Sequence, residues 1–292
     1  MKTHPFAAAR IFGVPLAIHP MKGKMIAQAL ASRFNIDSIE FDGTEPVVIK
    51  PMAMEDDEPY FDREAPKHGY DVVEGVAVVP VCGTLVHKSS SLRPYSGMLG
   101  YNAIRHNYLT ALEDDSIRAI VMSCDSPGGE VSGCFDLVDL IYETRGRKPV
   151  WAILDDMAYS ACYAIASACD AVTVPRTGGC GSVGVIAMHA DYSKAIKGAG
   201  VEITIFQYGD RKADGNEFNP LGKEARARFQ ADVDTMGDLF KETTARNRGI
   251  AASKVKATQA ATYMGASGVE IGFADAVLAP DEAFRTLLAE LG

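Results

Sequence analysis

Nowhere in the chain do about 18 apolar residues run uninterrupted, so no membrane-spanning helix and no membrane anchor are expected. The six cysteines, at positions 82, 124, 134, 162, 169 and 180, form no C-x-x-C pair, and several sit in apolar runs. They are expected to be small core residues of a reduced, cytoplasmic protein. The six histidines, at 4, 19, 68, 87, 106 and 189, lack H-x-x-x-H spacing, which argues against a metal site. Positive charge is in short supply: 29 Lys and Arg against 38 Asp and Glu leave a net charge of -9, so nucleic acid is not an expected partner. The run Gly178–Gly184 has no G-K-[ST] ending and leads into a strand-like stretch, which excludes a phosphate loop; no cofactor is expected. At the N-terminus, Arg10 and Pro15 break the apolar stretch, so a cleaved signal peptide is not expected.

What is present is enough apolar material for one large core or two modest ones: 292 residues, 47% of them hydrophobic. Residues 1–70 read as an N-terminal extension, with a candidate helix over Met21–Phe34 and an acidic, proline-containing stretch over Glu45–Pro66. From Gly75–Val81 onward, short β-branched runs alternate with helical stretches, the texture of an α/β fold. Further strands are predicted over Ile117–Cys124, Pro149–Leu154, Ala171–Pro175, Ser182–Ala187, Val201–Phe206 and Ala274–Leu278. Helices are predicted over Tyr101–Glu113, Ser132–Thr144, Ala158–Ala168, Tyr192–Gly198, Leu221–Arg248 and Ala252–Thr258. The body of the fold is placed at 71–280, followed by a terminal helix over 281–292. The basic cluster Arg145, Arg147 and Lys148 ends a helical stretch, where cations meet a helix C-terminus favourably.

Three segments carry chemistry. In the first, a strand-like run leads into Asp125-Ser126-Pro127-Gly128-Gly129. Its glycines let the backbone approach a substrate, and its N–H groups can line an oxyanion hole; the plain alternative is a strand-to-helix turn. The second, Tyr159-Ser160-Ala161-Cys162-Tyr163, sets Ser160 at a helix start, where orphan N–H groups and the helix dipole favour negative charge. Serine is equally a favoured N-cap. A serine hydroxyl is a weak nucleophile until a base takes its proton, and two bases are available. Lys212 lies in the third segment, the polar loop Tyr208–Asn216. A lysine serves as a base near neutral pH only if desolvation or local charge lowers its pKa by about 3 units from about 10.4. His189 needs no such shift, and with an acid such as Asp191 it keeps a Ser-His-Asp arrangement open. Cys162, two residues into the helix, is expected to point away from the face presenting Ser160. Ser182 is either a partner for an amine such as Lys212 or a turn serine.

Taken together, Ser126–Gly129, Tyr159–Ala166, Gly181–Val185 and Gly209–Lys212 resemble the S49 peptidases, the signal peptide peptidase A family, over about residues 71–280. Pro94–Met98, Gly100–Asn102, Val201–Thr204 and Lys212–Asn216 look like the phage branch of that family, the head maturation proteases of lambda-like phages. The resemblance implies a ClpP/crotonase-like α/β fold with repeated β-β-α units. It implies Ser160 as nucleophile, Lys212 as general base, backbone N–H groups around Gly128 and Gly129 as oxyanion donors, and Ser182 as the group that orients the lysine. It demotes His189. It further implies a protein or peptide substrate, capsid or scaffold protein in the phage branch, a homo-oligomer, and residence in the host cytoplasm or prohead. Two departures stand out: Ala161-Cys162 replaces the glycine pair that often follows the family's serine, and the chain ends at Gly292, where lambda-type proteases carry a scaffold-like region. The other readings are a cellular signal-peptide-peptidase-like protease, an inactive head or scaffold component, and a crotonase-like enzyme acting on a thioester, which would not need Ser160.

Overall fold

The computed structural model describes residues 15–18, 38–39, 47–48 and 68–292. The helix expected over Met21–Phe34 and most of the acidic stretch Glu45–Pro66 lie outside the described residues. In chain order the strands are β1 (Pro15–Ile18), β2 (Ser38–Ile39), β3 (Val47–Val48), β4 (Asp71–Val73), β5 (Val76–Val86), β6 (Met98–Gly100) and β7 (Ala119–Glu130). They continue with β8 (Val150–Tyr159), β9 (Ala171–Val174), β10 (Gly179–Gly181), β11 (Ile186–Ala187), β12 (Thr262–Met264) and β13 (Ala276–Val277). The helices are α1 (Tyr101–Glu113), α2 (Cys134–Glu143), α3 (Ala161–Ser167), α4 (Ser193–Gly198), α5 (Lys223–Arg248), α6 (Ala252–Ala257), α7 (Ala266–Glu270) and α8 (Pro280–Leu291).

β7 is the axis of a mostly parallel sheet. Its first half pairs in parallel with β5 on one side and β8 on the other, Val121 standing opposite Val78 and Trp151. β8 then forks, pairing with β9 through Trp151–Ile153 and with β10 through Met157–Tyr159. Side chains alternate between the faces, as a pleated strand requires. Ala77, Val79 and Val81 of β5 point into the main core with α1, α2 and α3, while Val76 joins Val121, Trp151 and Ile153 under Ala283 and Leu287 of α8. This is the expected α/β architecture, of ClpP-like type.

The structure corrects several expectations. The strand expected to stop at Cys124 runs on through Pro127 to Glu130, with one irregularity in its pairing between Cys124 and Ser126, so Pro-Gly-Gly is a strand segment and not a turn. Of the strand expected over Ser182–Ala187 only Ile186–Ala187 (β11) is paired; β10 lies just ahead of it and ends at Gly181, where Ser182 adopts a left-handed φ of 56° that no extended ladder accepts. Val201–Phe206 is not a strand. Its alternation has no neighbouring edge to pair with among the described residues, and Val201, Ile203 and Phe206 are 54%, 40% and 93% exposed. The basic cluster caps helices as expected, though not its own: Arg145 donates to the carbonyls of Ser167, Ala168 and Cys169 at the end of α3, and Lys148 to those of Ala111 and Asp114 at the end of α1. Arg147 instead pairs with Glu113.

Candidate active site

Helix α3 is apolar on every side, and all seven of its residues are buried. Cys162 directs its thiol toward the Val81 carbonyl, Tyr163 donates its hydroxyl to the Phe273 carbonyl at 3.0 Å, and Arg145 holds the C-terminal carbonyls. A helix locked in this way fixes whatever sits at its first turn. That residue is Ser160, 1% exposed, at the end of β8.

Six described non-glycine residues have left-handed φ, and four of them are exposed turn residues. The two that are buried are Ser160, at 54°, and Ser182. Such backbone costs about 1–3 kcal/mol at a non-glycine residue and persists only where the surroundings enforce it. Here they do: the Ser160 N–H donates to the Gly181 carbonyl at 2.8 Å, and the Ser182 N–H to the Ala261 carbonyl at 3.0 Å. The plain reading of Ser160 as an N-cap fails on geometry, because its side chain makes no capping hydrogen bond. Its hydroxyl instead points to the Gly184 carbonyl at 3.4 Å. The first N–H groups of α3 therefore have no side-chain cap and lie beside this hydroxyl.

On the neighbouring strand, Ser126 stands opposite Ala158, which brings Gly128 and Gly129 to the same end of the sheet as Ser160. Gly129 must be glycine, since a Cβ there would lie 1.8 Å from the Leu85 carbonyl oxygen of β5. Gly128 has φ of 103° and donates its N–H to the Ser126 hydroxyl at 3.1 Å, while that hydroxyl donates to the Gly83 carbonyl at 2.6 Å. The Ser126 contact was not foreseen, nor was the acceptor role of Gly184, since neither backbone carbonyl nor turn hydroxyl has a signature in sequence.

The other predicted residues are less well gathered. Lys212 stands exposed in the turn after the unpaired segment, with its backbone N–H on the Gly209 carbonyl at 3.1 Å. Among the described residues no hydrogen bond joins it to Ser160 or Ser182, so the burial expected of a lysine base is absent within this one chain. Its loop is tethered by the Arg228–Asp214 ion pair and by Gly215 beneath the Phe229 ring. His189 is tied elsewhere, with Nε2 3.1 Å from the Asn216 carbonyl oxygen. Asp191 accepts the Ser193 N–H at 2.9 Å, and hydrogen bonds from the Ser193 side chain and then its backbone hold the Asp191 carboxyl below the usual range, so the pair does not form a triad with Ser160. Three of the cysteines offer no rival nucleophile of ordinary reactivity. Burial pushes the Cys82 thiol up to about 11 and those of Cys134 and Cys180 to about 12, so they remain protonated at neutral pH. Among the described residues, no cluster of three or more His, Cys, Asp or Glu could hold a metal ion, and no helix is long and apolar enough to cross a membrane.

Residues 143–291 match the family model of peptidase family S49. The chain is 37% identical over 290 residues to the head-tail preconnector protein GP5 of Enterobacteria phage P21, covering 99% of this chain and 58% of that protein. It is 34% identical over 294 residues to the capsid assembly protease C of Escherichia phage lambda, covering 98% and 66%. To Protease 4 of Haemophilus influenzae it is 26% identical over 219 residues, covering 73% and 34%. The chain thus spans less than two thirds of the length of each of these relatives.

Proposed function

The chain belongs to peptidase family S49, and from that premise we propose that it is a serine endopeptidase that cleaves capsid or scaffold proteins during phage head assembly. One observation carries the reading: Ser160 is buried, held in left-handed backbone at the start of a locked helix, and leaves that helix uncapped. A serine kept in this costly conformation and free of the capping role is poised for another one.

In the proposed reaction Ser160 Oγ attacks a peptide carbonyl; the scissile C–N bond breaks, the amine leaves with the proton the base took from the serine, and water then hydrolyses the acyl-enzyme to release the new carboxylate and restore the serine. The developing oxyanion is received by the N–H groups of Gly128 and Gly129 together with the first N–H of α3, that of Ala161. The 3.1 Å bond from Gly128 goes to a neutral hydroxyl, and an anion is the stronger acceptor that displaces it. Lys212 takes the serine proton, oriented by Ser182. For that the lysine must lose its water, and a second copy of the chain supplies the cover. Laid against residues 201–212, it gives Val201, Ile203, Phe206 and Tyr208 a partner and dries the lysine. The substrate assignment rests on the names of the phage relatives.

The test is co-expression with the neighbouring head proteins, wild type against Ser160→Ala, read by intact mass. The reading expects a defined set of truncated head proteins with the wild type and none with Ser160→Ala. Identical masses in the two would leave a head component without peptidase activity.

A further inference from the structure

β1 joins the sheet in a place that the extension around it does not predict. It runs antiparallel to the end of β7, with Ile18 opposite Gly128, Ala17 opposite Gly129 and Leu16 opposite Glu130. On its other side it runs antiparallel to β11, with Leu16 opposite Ile186 and Pro15 opposite Ala187. Leu16 and Ile18 are 5% and 4% exposed. Pro15 opens the strand, the one strand position where the missing N–H is readily tolerated.

Both flanks of β1 belong to the site already described. One is the Gly128-Gly129 backbone beside Ser160. The other begins two residues beyond Gly184, whose carbonyl faces the Ser160 hydroxyl. Since β7 and β11 are each antiparallel to β1, they run parallel to one another and stand apart by one strand, roughly 4.8 Å to either side of it. Take β1 away and two backbone edges face each other across a gap one strand wide, next to the nucleophile. Such a gap binds an extended chain through main-chain hydrogen bonds on both sides and reads its alternate side chains, here at the positions of Leu16 and Ile18.

We propose that β1 is a built-in pseudosubstrate: residues 15–18 fill the strand-shaped slot beside Ser160 that an extended peptide must enter. The slot selects extended segments with aliphatic side chains two residues apart, and a substrate gains access by displacing β1. Displacement asks little, because the contact is four residues long and buries two aliphatic side chains. It nevertheless holds the slot against dilute peptides, since an occupant on the same chain is present at a high effective concentration. This inference rests on Ser160 being the nucleophile of a peptidase, and the experiment separates the two.

Binding is measured first, with Ser160→Ala in every protein so that no turnover is needed. A fluorescent peptide carrying the sequence of residues 12–21 is titrated by anisotropy into the full chain and into Leu16→Asp/Ile18→Asp, with the milder Leu16→Ala/Ile18→Ala guarding against misfolding. The proposal expects the Asp variant to bind at least roughly tenfold more tightly than the parent, because its slot is vacant, with the Ala variant between them. A peptide with Asp at both aliphatic positions binds none of the three. Equal affinity for parent and variants, or no binding by any of them, overturns the proposal. With Ser160 restored, the Asp variant cleaves an added unfolded protein roughly tenfold faster than the parent, chiefly through a lower KM. A variant that binds more tightly yet cleaves nothing keeps the pseudosubstrate and removes the peptidase. One that cleaves no faster, although Ser160 reacts with a fluorophosphonate in both proteins, removes the pseudosubstrate and keeps the peptidase.

Discussion

The segment that carries Ser160 and the segment that carries Lys212 are treated differently by the same chain. All seven residues of the helix behind Ser160 are buried, and the backbone at Ser160 and Ser182 is held by specific carbonyls. Between Val183 and Phe240, by contrast, Ala225 is the one buried residue, and Phe206 and Tyr208 are 93% and 100% exposed. A nucleophile needs orientation, which packing within one chain supplies. A lysine base needs desolvation, and one chain leaves that undone. The proposed mechanism therefore divides the labour: the fold orients the proposed nucleophile, and contact with another copy is proposed to complete the base.

The contrast can be broken most severely from the packed side. Ile165→Ala in the helix behind Ser160 removes a fully buried side chain and is expected to cost about 2–5 kcal/mol in denaturant unfolding, with activity falling in step. A loss under about 1 kcal/mol would mean that the helix is not the rigid frame described.

From the exposed side the expected signature is the reverse. Phe206→Ser with Tyr208→Ser touches no packed core, so the thermal midpoint stays within about 1 °C while peptidase activity falls roughly tenfold and the assembly dissociates in sedimentation. A midpoint that dropped with unchanged activity would erase the difference between the two regions.

The smallest effect lies at the strand ends near the site. Partial desolvation of this largely exposed side chain, with Asp156 and Asp155 nearby, raises the Asp125 carboxyl above its ordinary value. The folded chain therefore binds this proton more tightly than the unfolded chain, and stability declines as pH rises from the usual carboxylate value of about 3.9 through the raised one. Asp125→Asn is expected to raise the melting midpoint by about 1 °C at pH 7, the gain being small because the carboxylate is exposed, and by nothing at pH 3. An equal gain at both pH values would assign the effect to something other than titration.

The parts of this arrangement that were legible in the sequence are those set by local pattern. α1 was read at its observed limits, and the place of Ser160 before an apolar helix followed from Tyr159–Ala168. The misses have a common physical cause, namely pairing between distant segments. Val201–Phe206 has the alternation of a strand, but no edge lies beside it. Pro127-Gly128-Gly129 has the composition of a turn, yet β5 and β1 flank it and hold it extended. Pro15–Ile18 carries an alternation too short to notice, and its meaning lies in Gly128–Glu130, more than a hundred residues away. The exposure of Lys212 depends likewise on what packs over it, which no local window contains.

The central claim, that Ser160 is a nucleophile served by the lysine and not by the histidine, is tested most directly by intact-mass detection of a fluorophosphonate adduct. The expected result is one adduct on the wild type and on His189→Ala, mapped to Ser160, none on Ser160→Ala, and labelling slowed at least about a hundredfold on Lys212→Ala. Undiminished labelling of Lys212→Ala together with its loss in His189→Ala would contradict the account.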